Sequence, residues 1–143
     1  MGSRASMRVY FDSSVVLRVV LGERGRLKEW SRTSEAVTSE ITRVECLRAL
    51  DRLRLEGGLV DRELARRRAT ALSILSGLEH VRLNRAVLER AADPFPVKIR
   101  SLDALHVASA VVVRARFPAL RFATHDVDLG AAAAAEGLPV LGV

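Results

Sequence analysis

Four carboxylates could do chemistry, two of them, Asp12 and Asp126, where short apolar runs give way to helix-forming sequence. Asp12 closes Met7-Arg-Val-Tyr-Phe, Glu45 follows Ile41-Thr-Arg-Val, Asp103 sits in Ser101-Leu-Asp-Ala-Leu-His-Val-Ala, and Asp126 follows Phe122-Ala-Thr-His. Taken singly, Asp12 and Asp126 are ordinary helix N-caps, and Asp103 is an acid that the dipole favours in a helix's first turn. Glu45 is different, because helical spacing stacks it with Ile41 and Ala49 at the margin of an apolar face formed by Cys46, Ala49, Leu50 and Leu53. A glutamate in that place is partly desolvated and calls for a cation or a basic side chain. Gathered on one rim, four acids repel one another, a cost that a hard divalent ion such as Mg2+ or Mn2+ offsets. Such an ion takes oxygen ligands, keeps several waters, activates one for attack and stabilises charge on a phosphate. Phosphodiester hydrolysis is the chemistry this donor set would serve.

The remaining pattern supplies the elements that must position these acids. Residues 7–11 read as a short buried strand, and Ser13 and Ser14 as caps of a helix stopping near Gly22, with a second short helix over 26–32. Ala36-Val37-Thr38 is a strand, Ser39 opens a longer helix that runs to Gly57-Gly58, and Asp61 caps an Arg-rich helix. A strand over 78–83 is followed by a helix capped by Asn84 that ends before Asp93-Pro94. A nearly all-apolar helix over 101–116 belongs in the middle of the fold, and a strand over 120–123, an Ala-rich helix over 126–135 and a strand over 139–143 complete the chain. Strands alternating with helices predict an α/β protein, a three-layer α/β/α sandwich around a central, mostly parallel sheet. Ligands of such open sheets bind outside the carboxyl ends of the strands, where Asp12 and Asp126 fall.

Composition narrows the class. A chain of 143 residues, 49% hydrophobic and 28% charged, suits one packed domain, placed here at residues 7–143. Residues 1–6, before a second methionine, read as a cloning remnant or an alternative start. The single Cys46 forms no internal disulfide, which points to a reducing, cytoplasmic setting, and its place on an apolar face makes it a packing residue. The apolar run over 13–21 is interrupted by Arg18, so neither a signal peptide nor a membrane span is expected. The net charge is +6, carried almost wholly by arginine, since Lys28 and Lys98 are the only lysines. With the four acids set apart, 13 acidic side chains face 23 basic ones, so a polyanion is drawn to the surroundings and a cation to the pocket. With only 4% aromatic residues a base-stacking platform is not expected, and nucleic acid would be held through its phosphates. Arg62, Arg66, Arg67 and Arg68 form a solvated helix face or, functionally, a contact for an RNA backbone or an acidic partner. Dinucleotide binding is excluded by the lack of a Gly-rich turn after the first strand, and Ser13-Ser14 after Asp12 lacks the paired acid common in phosphatases and phosphoacceptor domains.

The order and spacing of Val9-Tyr-Phe-Asp12-Ser-Ser, Thr38-Ser-Glu-Ile-Thr-Arg-Val-Glu45, Ser101-Leu-Asp103-Ala-Leu-His-Val-Ala and Phe122-Ala-Thr-His-Asp126-Val-Asp-Leu-Gly are similar to those of PIN-domain ribonucleases. Within them, the chain resembles the VapC toxins of bacterial toxin–antitoxin pairs. The resemblance implies that Asp12, Glu45, Asp103 and Asp126 are catalytic and bind one or two Mg2+ or Mn2+ ions, with Ser13 and Thr124 supporting the first acid and the metal site. It further implies RNA cleavage by a metal-activated water with a 5′-phosphate product, a cognate antitoxin and a homodimer. Spacing alone leaves Glu40 open against Glu45 and Asp128 against Asp126. His106, one turn after Asp103, reads as a satisfied core residue; the functional alternative is that it orients Asp103 or touches substrate. The competing functional class is a non-catalytic PIN-like module that binds RNA or a protein partner.

Overall fold

A computed structural model describes residues 7–143; the expected N-terminal remnant at 1–6 lies outside the described residues. The elements are β1 (Arg8–Phe11), α1 (Ser13–Val20), a single 3-10 turn (Trp30–Arg32), β2 (Glu35–Ser39), α2 (Ile41–Leu55), α3 (Asp61–Ser76), β3 (Glu79–Val81), α4 (Arg85–Ala92), α5 (Ser101–Arg114), β4 (Arg121–Ala123), α6 (Val127–Ala135) and β5 (Val140–Leu141). The five strands form one sheet in the order β3-β2-β1-β4-β5, with every neighbouring pair parallel.

Side chains alternate across the sheet, and this sorts the core into two halves. Val9 and Phe11 of β1 pack with Val15, Val16 and Val20 of α1, Cys46 and Leu50 of α2, and Ala71 and Leu75 of α3. Tyr10 and Phe122 face the other way, onto Val107 and Ala110 of α5 and Leu129, Ala132 and Ala133 of α6. Helices on both faces of a parallel sheet make the three layers expected from the sequence. The strand order turns between β1 and β4, where the Asp12 backbone N–H donates to the Ala123 carbonyl at 3.2 Å. A ligand crevice belongs at that switch point.

Several local expectations need correction. Asp12 itself is the cap of α1, its Oδ1 accepting the Val15 N–H at 3.2 Å, so Ser13 and Ser14 are already helical. Asp61 lies inside the first turn of α3, after Val60 in the cap position. The helix expected over 26–32 is reduced to one 3-10 turn. Gly22 and Gly25 take left-handed turns before it (φ 66° and 78°), and Trp30 stacks on Phe11 at 5.1 Å, so core contacts rather than helical hydrogen bonds set this segment. The last strand spans only Val140–Leu141, because Gly142 turns at φ 95° where the chain passes close to the Thr124 carbonyl. The arginine cluster on α3 is only partly a free face: Arg67 donates to the Val20 carbonyl at the end of α1 at 3.0 Å, and Arg66 pairs with Glu63. Among the described residues, no helix is long and apolar enough to cross a membrane.

Candidate active site

Asp12 is fixed by its position at the end of β1 and by the helix it caps. It is 2% exposed, and both of its oxygens are used. Oδ1 accepts the Ser14 hydroxyl at 2.7 Å besides the Val15 N–H, and Oδ2 accepts the Thr124 hydroxyl at 2.7 Å. Burial pushes its carboxyl above the usual range, while the Ser14 and Thr124 bonds and the nearby His106 pull it back. Thr124 therefore stands against the first acid. The serine on Asp12, by contrast, is Ser14 and not Ser13. As the second helical residue after a capping Asp, Ser14 turns its hydroxyl back toward the cap, and it also accepts the His125 N–H at 3.0 Å.

Glu45 is carried to the same rim by α2. Thr38 at the end of β2 donates to the Phe11 carbonyl at 2.7 Å and bonds Thr42 at 2.6 Å, which ties the first turn of α2 to the end of β1. One turn later Glu45 reaches over the strand ends to His106 of α5, Oε1 to Nε2 at 2.5 Å. His106 is 1% exposed and bonds the Tyr10 hydroxyl through Nδ1 at 2.7 Å. It is thus a satisfied core histidine, and the acid it contacts is Glu45, not Asp103. The competitor Glu40 turns elsewhere: its Oε1 accepts the Leu83 N–H at 3.0 Å. Cys46 is buried, and its thiol is pushed up to about 12 by burial and then by the charges of Glu45 and Asp12, which leaves it a packing residue.

Asp103 and Asp126 line an open cleft of about 640 Å³ with Asp128, Lys98 and Arg100. Asp126 caps α6, its Oδ1 accepting the N–H groups of Asp128 and Leu129, while its own N–H donates to Thr124 at 3.0 Å. Burial raises the Asp103 carboxyl above its ordinary range, and the charges of Asp126, Glu45 and Asp12 raise it further, with His106 opposing. Asp103 is therefore close enough to the other three acids to feel their charge. Yet among the described residues no three carboxylate, histidine or cysteine side chains converge on one point at which an ion could be gripped. Glu45, bonded to His106, lines a second groove with Ser13, Leu17 and Leu102, whereas Asp103 and Asp126 line the first cleft. In donor chemistry the set fits a hard cation well, being all oxygen and mutually repulsive without one.

Sequence reasoning missed Tyr10, Ser14, Lys98 and Arg100. The signal for Lys98 was available, since it is one of two lysines and lies just before the Ser101-Leu-Asp103 segment. Tyr10 was legible only as an apolar strand residue, because its hydroxyl finds a partner 96 residues away.

The sequence matches the PIN domain family over residues 9–135. This chain belongs to the PIN domain family. Among PIN-domain proteins it is of VapC type: it is 31% identical over 136 residues to Ribonuclease VapC46 of Mycobacterium tuberculosis, covering 93% of this chain and 95% of that one. It is also 30% identical over 125 residues to Ribonuclease VapC47 of the same species, covering 82% and 84%. The PIN fold is shared with a solved structure of VapBC-5, a VapBC-family toxin–antitoxin member from Mycobacterium tuberculosis, at TM-score 0.65 and 20% identity over 95% of this chain and 98% of that one. PAE2754 from Pyrobaculum aerophilum has the same fold at TM-score 0.57 and 18% identity, covering 94% and 83%.

Proposed function

We propose that this PIN-domain chain is a cytoplasmic endoribonuclease, the toxin of a toxin–antitoxin pair, working with Mg2+ or Mn2+ held by Asp12, Glu45, Asp103 and Asp126. The observation that carries the reading is the cleft that Asp103, Asp126 and Asp128 line together with Lys98 and Arg100, in which burial and then the Asp126 charge raise the Asp103 carboxyl. Relatives named ribonucleases support RNA as the substrate. A divalent ion at these oxygens supplies acidity to water and offsets charge on the scissile phosphate. The chain's own residues do the rest. Ser14, Thr124 and the Val15 N–H hold Asp12 in one orientation. Lys98 and Arg100, which line the same cleft as Asp103 and Asp126, would meet the phosphate oxygens that the acids repel. The chain is expected to pair with a cognate antitoxin and to form a homodimer, as its VapC type implies.

The test is cleavage of RNA by the purified protein in Mg2+ or Mn2+, with and without chelator, alongside Asp12→Asn, Glu45→Gln, Asp103→Asn and Asp126→Asn. Cleavage should stop with chelator and in each variant, while Glu40→Gln keeps it. The added ion should raise the parent's melting temperature by mass action and raise the variants' less. Cleavage that survives excess chelator, or all four substitutions, overturns the metal mechanism. A metal-binding chain that cuts no RNA is instead a binding module. Growth arrest on expression, relieved by the partner, tests the toxin role.

A further inference from the structure

His106 is a buried titratable group to which the proposed function gives no role, and it joins two layers of the fold. Its ring lies on α5, edge-on to Tyr10 with centroids 5.9 Å apart, while the carboxylate it meets comes from α2 on the opposite face of the sheet. The proton pattern follows from the partners. An ionised carboxylate only accepts, so Nε2 carries the hydrogen of the 2.5 Å bond to Glu45 Oε1. An Nε2–H tautomer leaves Nδ1 as the acceptor, and Tyr10, fully buried and held protonated by that burial, donates its O–H to it across 2.7 Å. Tyr10 itself is fixed in the core by stacking on Phe122 at 5.2 Å. Glu45 is thereby engaged through one oxygen, and its side chain remains 20% exposed at the rim.

We propose that His106 is a positioning residue for Glu45: the Tyr10 hydroxyl locks the imidazole, and Nε2–H pins Oε1 so that Oε2 is the oxygen presented to the ion. The inference rests on Glu45 being one of the metal-binding acids. Partners that orient a metal-binding group characteristically change metal affinity by about 10- to 100-fold when removed. A histidine that merely fills space carries no such linkage.

The experiment is a Mn2+ titration of the whole chain, read by the electron paramagnetic resonance signal of free Mn2+, with melting in chelator as the check on folding. His106→Gln places an amide N–H near the Nε2 position and keeps the bond to Glu45. His106→Asn reaches only the Nδ1 side and loses it, and His106→Leu loses both. Mn2+ affinity should fall about 10-fold or more in the Asn and Leu variants and stay within about 3-fold of the parent in the Gln variant, whatever the order of their melting temperatures. Tyr10→Phe should give a smaller loss. Equal affinity in the Asn and Gln variants overturns the positioning role. If Glu45→Gln loses Mn2+ in the same titration, the metal reading of Glu45 survives that failure. If Glu45→Gln binds Mn2+ like the parent, Glu45 is not a ligand and both readings fall at that residue. Should the position-106 variants not fold, 15N spectra of the parent imidazole decide: an Nε2–H tautomer with unprotonated Nδ1 supports the proposal, and an Nδ1–H tautomer overturns it.

Discussion

The rim of this PIN domain is built in two ways. On one side Asp12 and Glu45 are braced: Asp12 is buried and takes hydrogen bonds on both oxygens, and Glu45 is tied through His106 to Tyr10 in the core. On the other side Asp103 and Asp126 stand at helix N-termini around an open cleft, with Lys98 and Arg100 among its walls. Asp12 has given up its water to fixed donors and Glu45 part of its own, whereas Asp126 is exposed and Asp103 is half-buried, its carboxyl raised by burial and then by the Asp126 charge. A buried donor set orients a ligand, whereas an exposed one lets ion and phosphate enter. A site for a large polyanion needs both.

The comparison is open to attack from either side. The largest effect is expected from Asp103→Asn, which should lower the metal-dependent cleavage rate by roughly 100-fold or more through loss of charge in the transition state, yet leave melting in chelator at or above the parent's. A matching loss of both rate and stability would make Asp103 a structural residue. Asp12→Ala should do the reverse in chelator, costing about 2–3 kcal/mol of folding stability, because it removes a helix cap and strands the Ser14 and Thr124 hydroxyls. Equal denaturation midpoints for Asp12→Ala and Asp103→Ala would erase the distinction between braced and open acids.

Smaller effects belong to the cleft's cations. Lys98→Ala and Arg100→Ala should each raise KM for RNA by about 3- to 10-fold with kcat nearly unchanged. Each should also lower the slope of log affinity against log salt by about 0.7 for every single-strand phosphate it no longer neutralises. An unchanged slope would remove these residues from the substrate path. The smallest effect is a pH dependence. The Asp103 carboxyl is raised in the folded chain, by burial and then by Asp126. The folded state therefore holds its proton to higher pH than the unfolded state does, and stability falls as pH rises from about 4 through the folded value. In chelator, Asp103→Asn should melt above the parent at pH 7, with the gap closing toward pH 4. A gap that widens on acidification would reverse the sign of the Asp103 environment.

The order of elements, the parallel sheet and the place of Asp12 and Asp126 at strand-to-helix turns were legible in the chain, because periodicity and helix-cap chemistry are local. Val9, Tyr10 and Phe11 could be read as a buried strand, and Asp12 as the residue that ends it. Local signals also misled where tertiary contacts dominate. The segment over 26–32 has helix-forming residues, but left-handed glycines before it and the Trp30–Phe11 stack hold it in turns. Ser13 and Ser14 are indistinguishable by type, and only the direction in which α1 leaves Asp12 decided that Ser14 supports the acid. Glu40 and Glu45 were equally available by spacing. The structure separates them because the Leu83 backbone takes one and His106 the other. His106 and Tyr10 lie 96 residues apart, and no pattern along the chain announces their bond. Local free energies write themselves into neighbouring residues, so the sequence by itself determined that Asp12 and Asp126 follow strands and open helices. Which acid is braced, which is open and which core side chain holds it were settled only when the two layers closed over the sheet, because those choices depend on contacts that exist nowhere but in the packed molecule.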